Sequence, residues 1–157
     1  MVKKIISGCQ TGADIAGIDA AIACGVPYGG WVSKGRKTEA GPLPSRYIVQ
    51  EMPTSYYPKR TEQNVIDSEG TAIFTHGKLT GGSNLTRKLA IKYSKPWIHI
   101  DLLQYDPGAA SAMLTQWVKD NGIEVLNIAG RSASKDDKIY RETRGVVELL
   151  LAGMKDH

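Results

Sequence analysis

The chain has 157 residues and a net charge of +4, with 41% hydrophobic and 23% charged residues, a composition ordinary for a soluble globular protein. That length suffices for one domain, residues 1–157, with a real core. No apolar run approaches a membrane span, and the mild positive charge favours anionic ligands without the basic stripe of a nucleic-acid binder, so neither membrane nor nucleic acid is expected as a partner. Cys9 and Cys24 are the two cysteines; with no signal peptide in view they point to the cytoplasm rather than to a disulfide framework.

Val2 to Ser7 reads as a buried strand. It runs into a loop of small and hydroxyl residues, Gly8-Cys9-Gln10-Thr11-Gly12, and a helix follows over about Ala13 to Cys24, with Ile15, Ile18 and Ile22 on one face. Such a helix start offers unpaired amides and the positive end of the dipole, and Gly8 and Gly12 would let a ligand come close to the backbone, so the loop is expected to cradle a phosphate. Asp14 in the first helical turn is either stabilised by the dipole or turned towards a ribose hydroxyl, an amine or a metal. Asp19 borders the buried face and needs a partner, for which Trp31 or a nearby base is expected.

Tyr28 to Arg46 is rich in glycine and proline and reads as a long loop. It holds Trp31, able to stack on a ring, and Lys34 and Arg36, able to neutralise an anion, with a solvated basic turn as the plainer alternative. Tyr47 to Met52 reads as a short strand, Thr61 as the cap of a helix to about Ser68 with Val65 and Ile66 inward, and Thr71 to Thr75 as a strand.

A second strand-to-helix turn then follows, His76 to Asn84. Thr80, Gly81, Gly82, Ser83 and Asn84 form a second candidate phosphate loop, with Ser83 as N-cap and Leu85, Leu89 and Tyr93 as the apolar face. Trp97 to Leu102 is a strand. Asp106-Pro107 starts a helix with the stripe Ala110, Met113, Leu114 and Trp117, and Asn121-Gly122 stops it. Glu124 to Ala129 is the last strand, Gly130 to Ser134 a third strand-end loop, and Ile139 to Met154 the closing helix.

This alternation predicts an α/β, Rossmann-like three-layer sandwich: a mostly parallel sheet of about five strands with helices on both faces. Ligands in such sheets sit beyond the carboxyl ends of the strands, and the three small-residue loops converge on one cleft if their strands are neighbours.

Neither G-x-x-x-x-G-K-[ST] nor G-x-G-x-x-G occurs. A thiol phosphatase built on Cys9 would need an arginine six residues on, where Ile15 stands, so Cys9 ranks as a small loop residue ahead of a reactive thiol. His76, His99 and His157 make no metal-ligand spacing, and no metal site is expected.

Five stretches carry a resemblance: Gly8 to Asp14; Gly29-Gly30-Trp31 with Lys34-Gly35-Arg36; Arg60-Thr61 with Asn64-Val65; Leu79 to Ser83; and Leu126 to Gly130. In this order they resemble the molybdenum carrier proteins, a circularly permuted branch of the Rossmann-like SLOG superfamily that includes the LOG proteins. The resemblance implies binding of a nucleotide or a pterin-type phosphate, with molybdenum cofactor (molybdopterin) as the named candidate. Compared with the family, Cys9 stands where a second glycine is usual, Ala40 where an acidic residue is usual, and Arg131 where a proline is usual. The expected protein is a carrier or binder of a phosphorylated, nucleotide-like ligand rather than an enzyme. The alternatives are a nucleotide hydrolase with Asp14 or Glu39 as general base, and a ligand sensor. A homo-oligomer is expected because related Rossmann-like proteins assemble through surface helices.

Overall fold

A computed structural model describes residues 1–155; His157 lies outside them. The elements in order are β1 (Lys4–Ile6), α1 (Ala13–Ala23), β2 (Tyr28–Gly29), β3 (Trp31–Val32), β4 (Lys37–Thr38), β5 (Gly41–Pro42), β6 (Gln50–Glu51), α2 (Tyr57–Asp67), β7 (Gly70–Thr75), α3 (Gly81–Lys92), β8 (Trp97–Asp101), α4 (Pro107–Asn121), β9 (Val125–Gly130) and α5 (Ile139–Lys155). Five strands form the main sheet in the order β2-β1-β9-β7-β8. Every pair in it is parallel.

This order follows from short right-handed crossovers. The chain leaves β1 towards one edge of the sheet and leaves β7 towards the other, so α1 and α3 must cover opposite faces. Accordingly α5 packs against α1 and α4, and α2 packs against α3. β9 returns between β1 and β7, and this is the switch point of the sheet. The three expected loops follow β1, β7 and β9, which are immediate neighbours, so their carboxyl ends share one rim. All six residues of β7 are buried, as a strand covered on both faces requires.

The helices meet the sheet with smaller residues than the apolar spacing suggests. Ile18 of α1 is buried, but Ile22 is exposed, and the rest of the inner face is Ala13, Ala16, Gly17, Ala20 and Ala21. A Cβ on Gly17 would fall 2.7 Å from Ile128 Cβ, so the helix lies closer to β9 than an isoleucine face would allow. On α3 the buried residues are Ser83, Thr86 and Ala90, while Leu85 and Leu89 are half-buried. Ile66 of α2 is exposed and Asn64 takes the inner position beside Val65.

Three boundaries also differ from the sequence reading. α2 begins at Tyr57, one turn before Thr61; Pro58 in the first turn is the start signal there, and Thr61 Oγ1 only bonds back to the Tyr57 carbonyl. α3 is capped at Thr80, whose amide donates to Ser83 Oγ at 3.0 Å, so Gly81, Gly82 and Ser83 form the first helical turn rather than a preceding loop. Of Tyr47 to Met52 only Gln50 and Glu51 are strand, paired with β3 outside the main sheet. The C-terminal half follows expectation: Asp106 caps α4 by accepting from the Ala109 amide at 2.8 Å, and Ile139, Thr143, Val146, Val147 and Leu150 of α5 are buried. Among the described residues no helix is long and apolar enough to cross a membrane.

Candidate functional site

A cleft of about 420 Å³ opens above the carboxyl ends of β1, β9 and β7. Sites for small molecules usually measure about 300–1,000 Å³. Of the residues expected there, Gly8, Gln10, Asp14, Glu39, Thr80, Gly82, Ser83 and Gly130 line it. Cys9, Thr11, Gly12, Trp31, Lys34, Arg36, Gly81 and Asn84 do not. The wall also holds Tyr57, Pro58, Arg60 and Thr61 from α2, Leu85 and Thr86 from α3, and Arg131, Ser132 and Lys135 from the loop after β9.

Most amides of the loop after β1 are engaged within the protein: Cys9 N–H donates to Ser7 Oγ (3.0 Å), Gln10 N–H to Asp14 Oδ2 (3.4 Å), Thr11 N–H to Gln10 Oε1 (3.0 Å) and Ala13 N–H to the Arg131 carbonyl (3.0 Å). The amides of Gly8 and Gly12 have no such partner among the described residues. The glycines serve protein contacts too. A Cβ on Gly8 would fall 1.3 Å from Arg60 Nη1, so the guanidinium takes the space a side chain there would need. Gly12, at φ +87°, has the backbone of Arg131 to Ala133 against it, and Gly130, at φ +154°, sits on the Phe74 carbonyl, 2.2 Å from where a Cβ would be. These glycines let the loops and Arg60 approach one another closely.

At the second loop the amides of Gly81 and Gly82 open α3 with no protein partner among the described residues. A helix start with partnerless amides therefore borders the cleft here, the kind of donor set a helix N-terminus offers.

Asp14 is buried and forms an ion pair with Arg60 at 3.1 Å, with both side chains nearly covered (10% and 12% exposed). Burial raises the Asp14 pKa, and the charge and hydrogen bond of Arg60 oppose but do not cancel that. Glu39 is the reverse case. Its carboxylate accepts from Ser134 Oγ (2.6 Å), the Ser134 amide (3.1 Å) and the Thr11 hydroxyl, and the hydrogen bonds from Ser134 and Thr11 hold its pKa low. Glu39 thus fastens the first loop to the third.

The remaining expected contacts have other partners. Arg36 donates to the carbonyls of Leu43 (3.2 Å), Pro44 (2.7 Å) and Tyr47 (2.9 Å), organising its own loop. Trp31 Nε1 donates to Asp67 at 2.8 Å. Asp19 accepts from Tyr47 (2.7 Å) and Tyr140 (2.6 Å), not from Trp31 or a base. Cys9 is buried at φ +57°, and burial pushes its thiol up to about 12, which leaves it protonated and unreactive at neutral pH.

His76 lies beyond the cleft wall, hydrogen-bonded through Nδ1 to Asp136 and through Nε2 to Glu142 at 3.0 Å. Burial pulls its pKa down, but the two carboxylates outweigh that and raise it above the ordinary value. A raised pKa stabilises the fold fully below the unfolded value of about 6.5, and the stabilisation is lost as pH rises through the folded value. His76→Gln should therefore cost about 1.5–3 kcal/mol at pH 5.5, the usual worth of hydrogen bonds to charged groups, and markedly less at pH 9. Urea unfolding at both pH values checks this; an equal deficit at both would show that the charge on His76 does not contribute.

A family model described as the circularly permutated YpsA SLOG family matches residues 5–151. The chain belongs to this family. It is also similar to a crystal structure of a "putative molybdenum carrier protein" from Syntrophus aciditrophicus SB, with 52% identity, a TM-score of 0.94, and coverage of 96% of this chain and 95% of that one. No curated protein matches the sequence. For this family member the Rossmann-like α/β architecture is thus seen both in its own sheet and in that neighbour.

Arg60 and Arg131 stand out in the sequence only through the resemblance, Arg60 within one of its stretches and Arg131 as a departure from it, and neither was expected as a ligand contact; Lys135 was not singled out. Arg60 had one available signal: an acid in a buried helical turn needs a cationic or hydrogen-bonding partner. Nothing in the spacing singles out Lys135.

Proposed function

We propose that this SLOG protein is, as one domain, a binder or carrier of a phosphorylated, nucleotide-like small molecule, with molybdenum cofactor the named candidate through its structural neighbour. The observation that carries this reading is the convergence of Arg60, Arg131, Lys135 and the free amides of α3 on one cleft at the switch point. Cationic groups and amides are the chemistry of phosphate recognition. The apolar ends of Tyr57, Pro58 and Leu85 supply a surface for a flat ring. Among the described residues no group of three His, Cys, Asp or Glu side chains could hold a metal ion. What the residues present fit in a molybdenum cofactor is its phosphate and its ring.

The test is a thermal-shift screen with nucleoside monophosphates, pterin phosphates and molybdate. A phosphorylated ring compound at 100 times its Kd should add about 2.7 kcal/mol of stability. No shift with any ring phosphate, or a shift with molybdate alone, would overturn the reading.

A second reading, nucleotide hydrolysis, is favoured by one observation: Asp14 is a carboxylate in the cleft whose pKa is raised, as a general base requires. Incubation with nucleoside monophosphates should then release free base, and Asp14→Asn should stop it. Absence of release across the set removes this reading and leaves the carrier reading intact.

A further inference from the structure

The positive charges of the cleft are not equivalent. Arg60 is already neutralised by Asp14 at 3.1 Å. Arg131 is not: its side chain makes no hydrogen bond or ion pair among the described residues, and its Nε is buried without a partner. It lines the cleft and also a neighbouring cavity of about 710 Å³. Lys135 lines both as well, and its Nζ lies 3.9 Å from where a Cβ of Gly81 would stand. Lys135 is exposed, and its ammonium stands beside the N-terminal turn of α3, the positive end of that helix, where a cation is disfavoured.

The loop that carries both cations is firmly held. The Arg131 amide donates to the Phe74 carbonyl at 3.1 Å, the Arg131 carbonyl accepts from Ala13, Ser134 is fastened to Glu39, and Asp136 to His76. Two cations and a positive helix end therefore border one cleft, whose lining carboxylates, Asp14 and Glu39, already have partners in Arg60 and in Ser134 and Thr11. Glu39 faces Lys135 and is occupied with Ser134 and Thr11; in the neighbouring cavity Asp136 and Glu142 are bound to His76, and Asp137 lies on that side rather than in the cleft. Such an arrangement is compensated by a ligand bringing about two negative charges.

We propose that Arg131 and Lys135 form a clamp selective for a dianionic terminal phosphate, a phosphomonoester rather than a singly charged phosphodiester. This rests on the carrier reading above and specifies the charge class of its ligand. A phosphomonoester carries about −1.5 to −2 at pH 7, with a second pKa near 6; a cyclic diester carries one charge and cannot present a terminal phosphate to both cations at once.

The test compares AMP with 3′,5′-cyclic AMP by isothermal titration at pH 7.5, because the two share base and sugar and differ in the phosphate. AMP is expected to bind at least tenfold more tightly. In Arg131→Gln/Lys135→Gln the AMP affinity falls at least tenfold and the ratio drops to within about threefold, while circular dichroism and the unfolding midpoint report that the fold is kept. Arg131→Lys restores part of the preference. Equal binding of the two nucleotides by the wild-type protein, or a preference that survives the double substitution, overturns the clamp and leaves the carrier reading standing. If neither nucleotide binds and the wider screen of ring phosphates is also silent, the carrier reading falls and the clamp with it.

Discussion

Arg60→Leu should destabilise the protein by about 3–5 kcal/mol at neutral pH, the cost of leaving one member of a buried ion pair without its partner. The effect is expected to exceed that of losing Arg60's packing over the Tyr57 ring, because cation–π contacts contribute about 0.5–2 kcal/mol. The origin is Asp14. Its burial already raises its pKa while Arg60 is in place, so the native state favours the protonated acid more than the unfolded chain does. With the folded pKa above the unfolded one, stability falls as pH rises between the two values, and removing Arg60 widens that interval. The Arg60→Leu deficit should therefore be small near pH 4 and grow towards pH 8. Adding Asp14→Asn should recover most of it, since the amide carries no charge to leave stranded. Urea unfolding of the two single variants and the double variant at both pH values measures the coupling. A deficit independent of pH and unrelieved by Asp14→Asn would mean that Arg60 acts by packing alone.

The same pair shows where sequence reasoning reaches and where it stops. Asp14 and Arg60 are 46 positions apart, and no periodicity relates α1 to α2. Asp14 on its own reads equally well as a dipole-stabilised turn residue. Elements with local causes were legible: the apolar run of β7, the Asp106-Pro107 start of α4, the Asn121-Gly122 stop, and the stripe of α5. Their order also gave the parallel sheet, and hence the shared rim of the three loops. Helix faces were read less well. Ile22 and Ile66 look like core residues by spacing, but the inner positions go to Gly17 and Ala16 on α1, because that helix lies close to β9, and to Asn64 on α2, whose side chain hydrogen-bonds the Trp31 backbone. Size complementarity of that kind exists only between elements and leaves no period in either.

The site divided along the same line. That Gly8, Gly12 and Gly130 mark tight strand-end loops was visible; what fills the space they leave was not. In each case it is protein: the Arg60 guanidinium, the backbone of residues 131–133, and the Phe74 carbonyl. Cys9 at φ +57° completes this picture, since it occupies a left-handed position where the resemblance expects a glycine. Lys34 and Arg36 stand outside the cleft lining, and for Arg36 the reason is related. Charge in a loop suggests a ligand, but Arg36 donates to three carbonyls of the loop that contains it. The cations that do reach the cleft come from α2 and from the loop after β9.

Gly12→Val should be the most damaging single change at the rim, above about 4 kcal/mol, in the range reserved for strain at special backbone positions and severe clashes. Two costs add. At φ +87° a β-branched residue is strained, which contributes on the order of 1–3 kcal/mol. In addition its Cβ would stand 2.3 Å from the Arg131 carbonyl oxygen and 2.8 Å from the Ala133 amide, and these are backbone atoms that cannot swing aside. The substitution must therefore push the first loop from the third. It breaks the Ala13 N–H bond to the Arg131 carbonyl and pulls Thr11 from the Ala133 amide, and Arg131 and Lys135 move with their loop. Gly145→Ala is the control. It lies inside α5 with open space around its Cβ, and replacing a helical glycine there should stabilise by about 0.5–1 kcal/mol. Unfolding midpoints of both variants, with nucleotide titration of whatever Gly12→Val protein folds, separate the possibilities. If Gly12→Val folds at near wild-type stability and keeps its nucleotide affinity, the contact between the two loops is not what shapes the cleft.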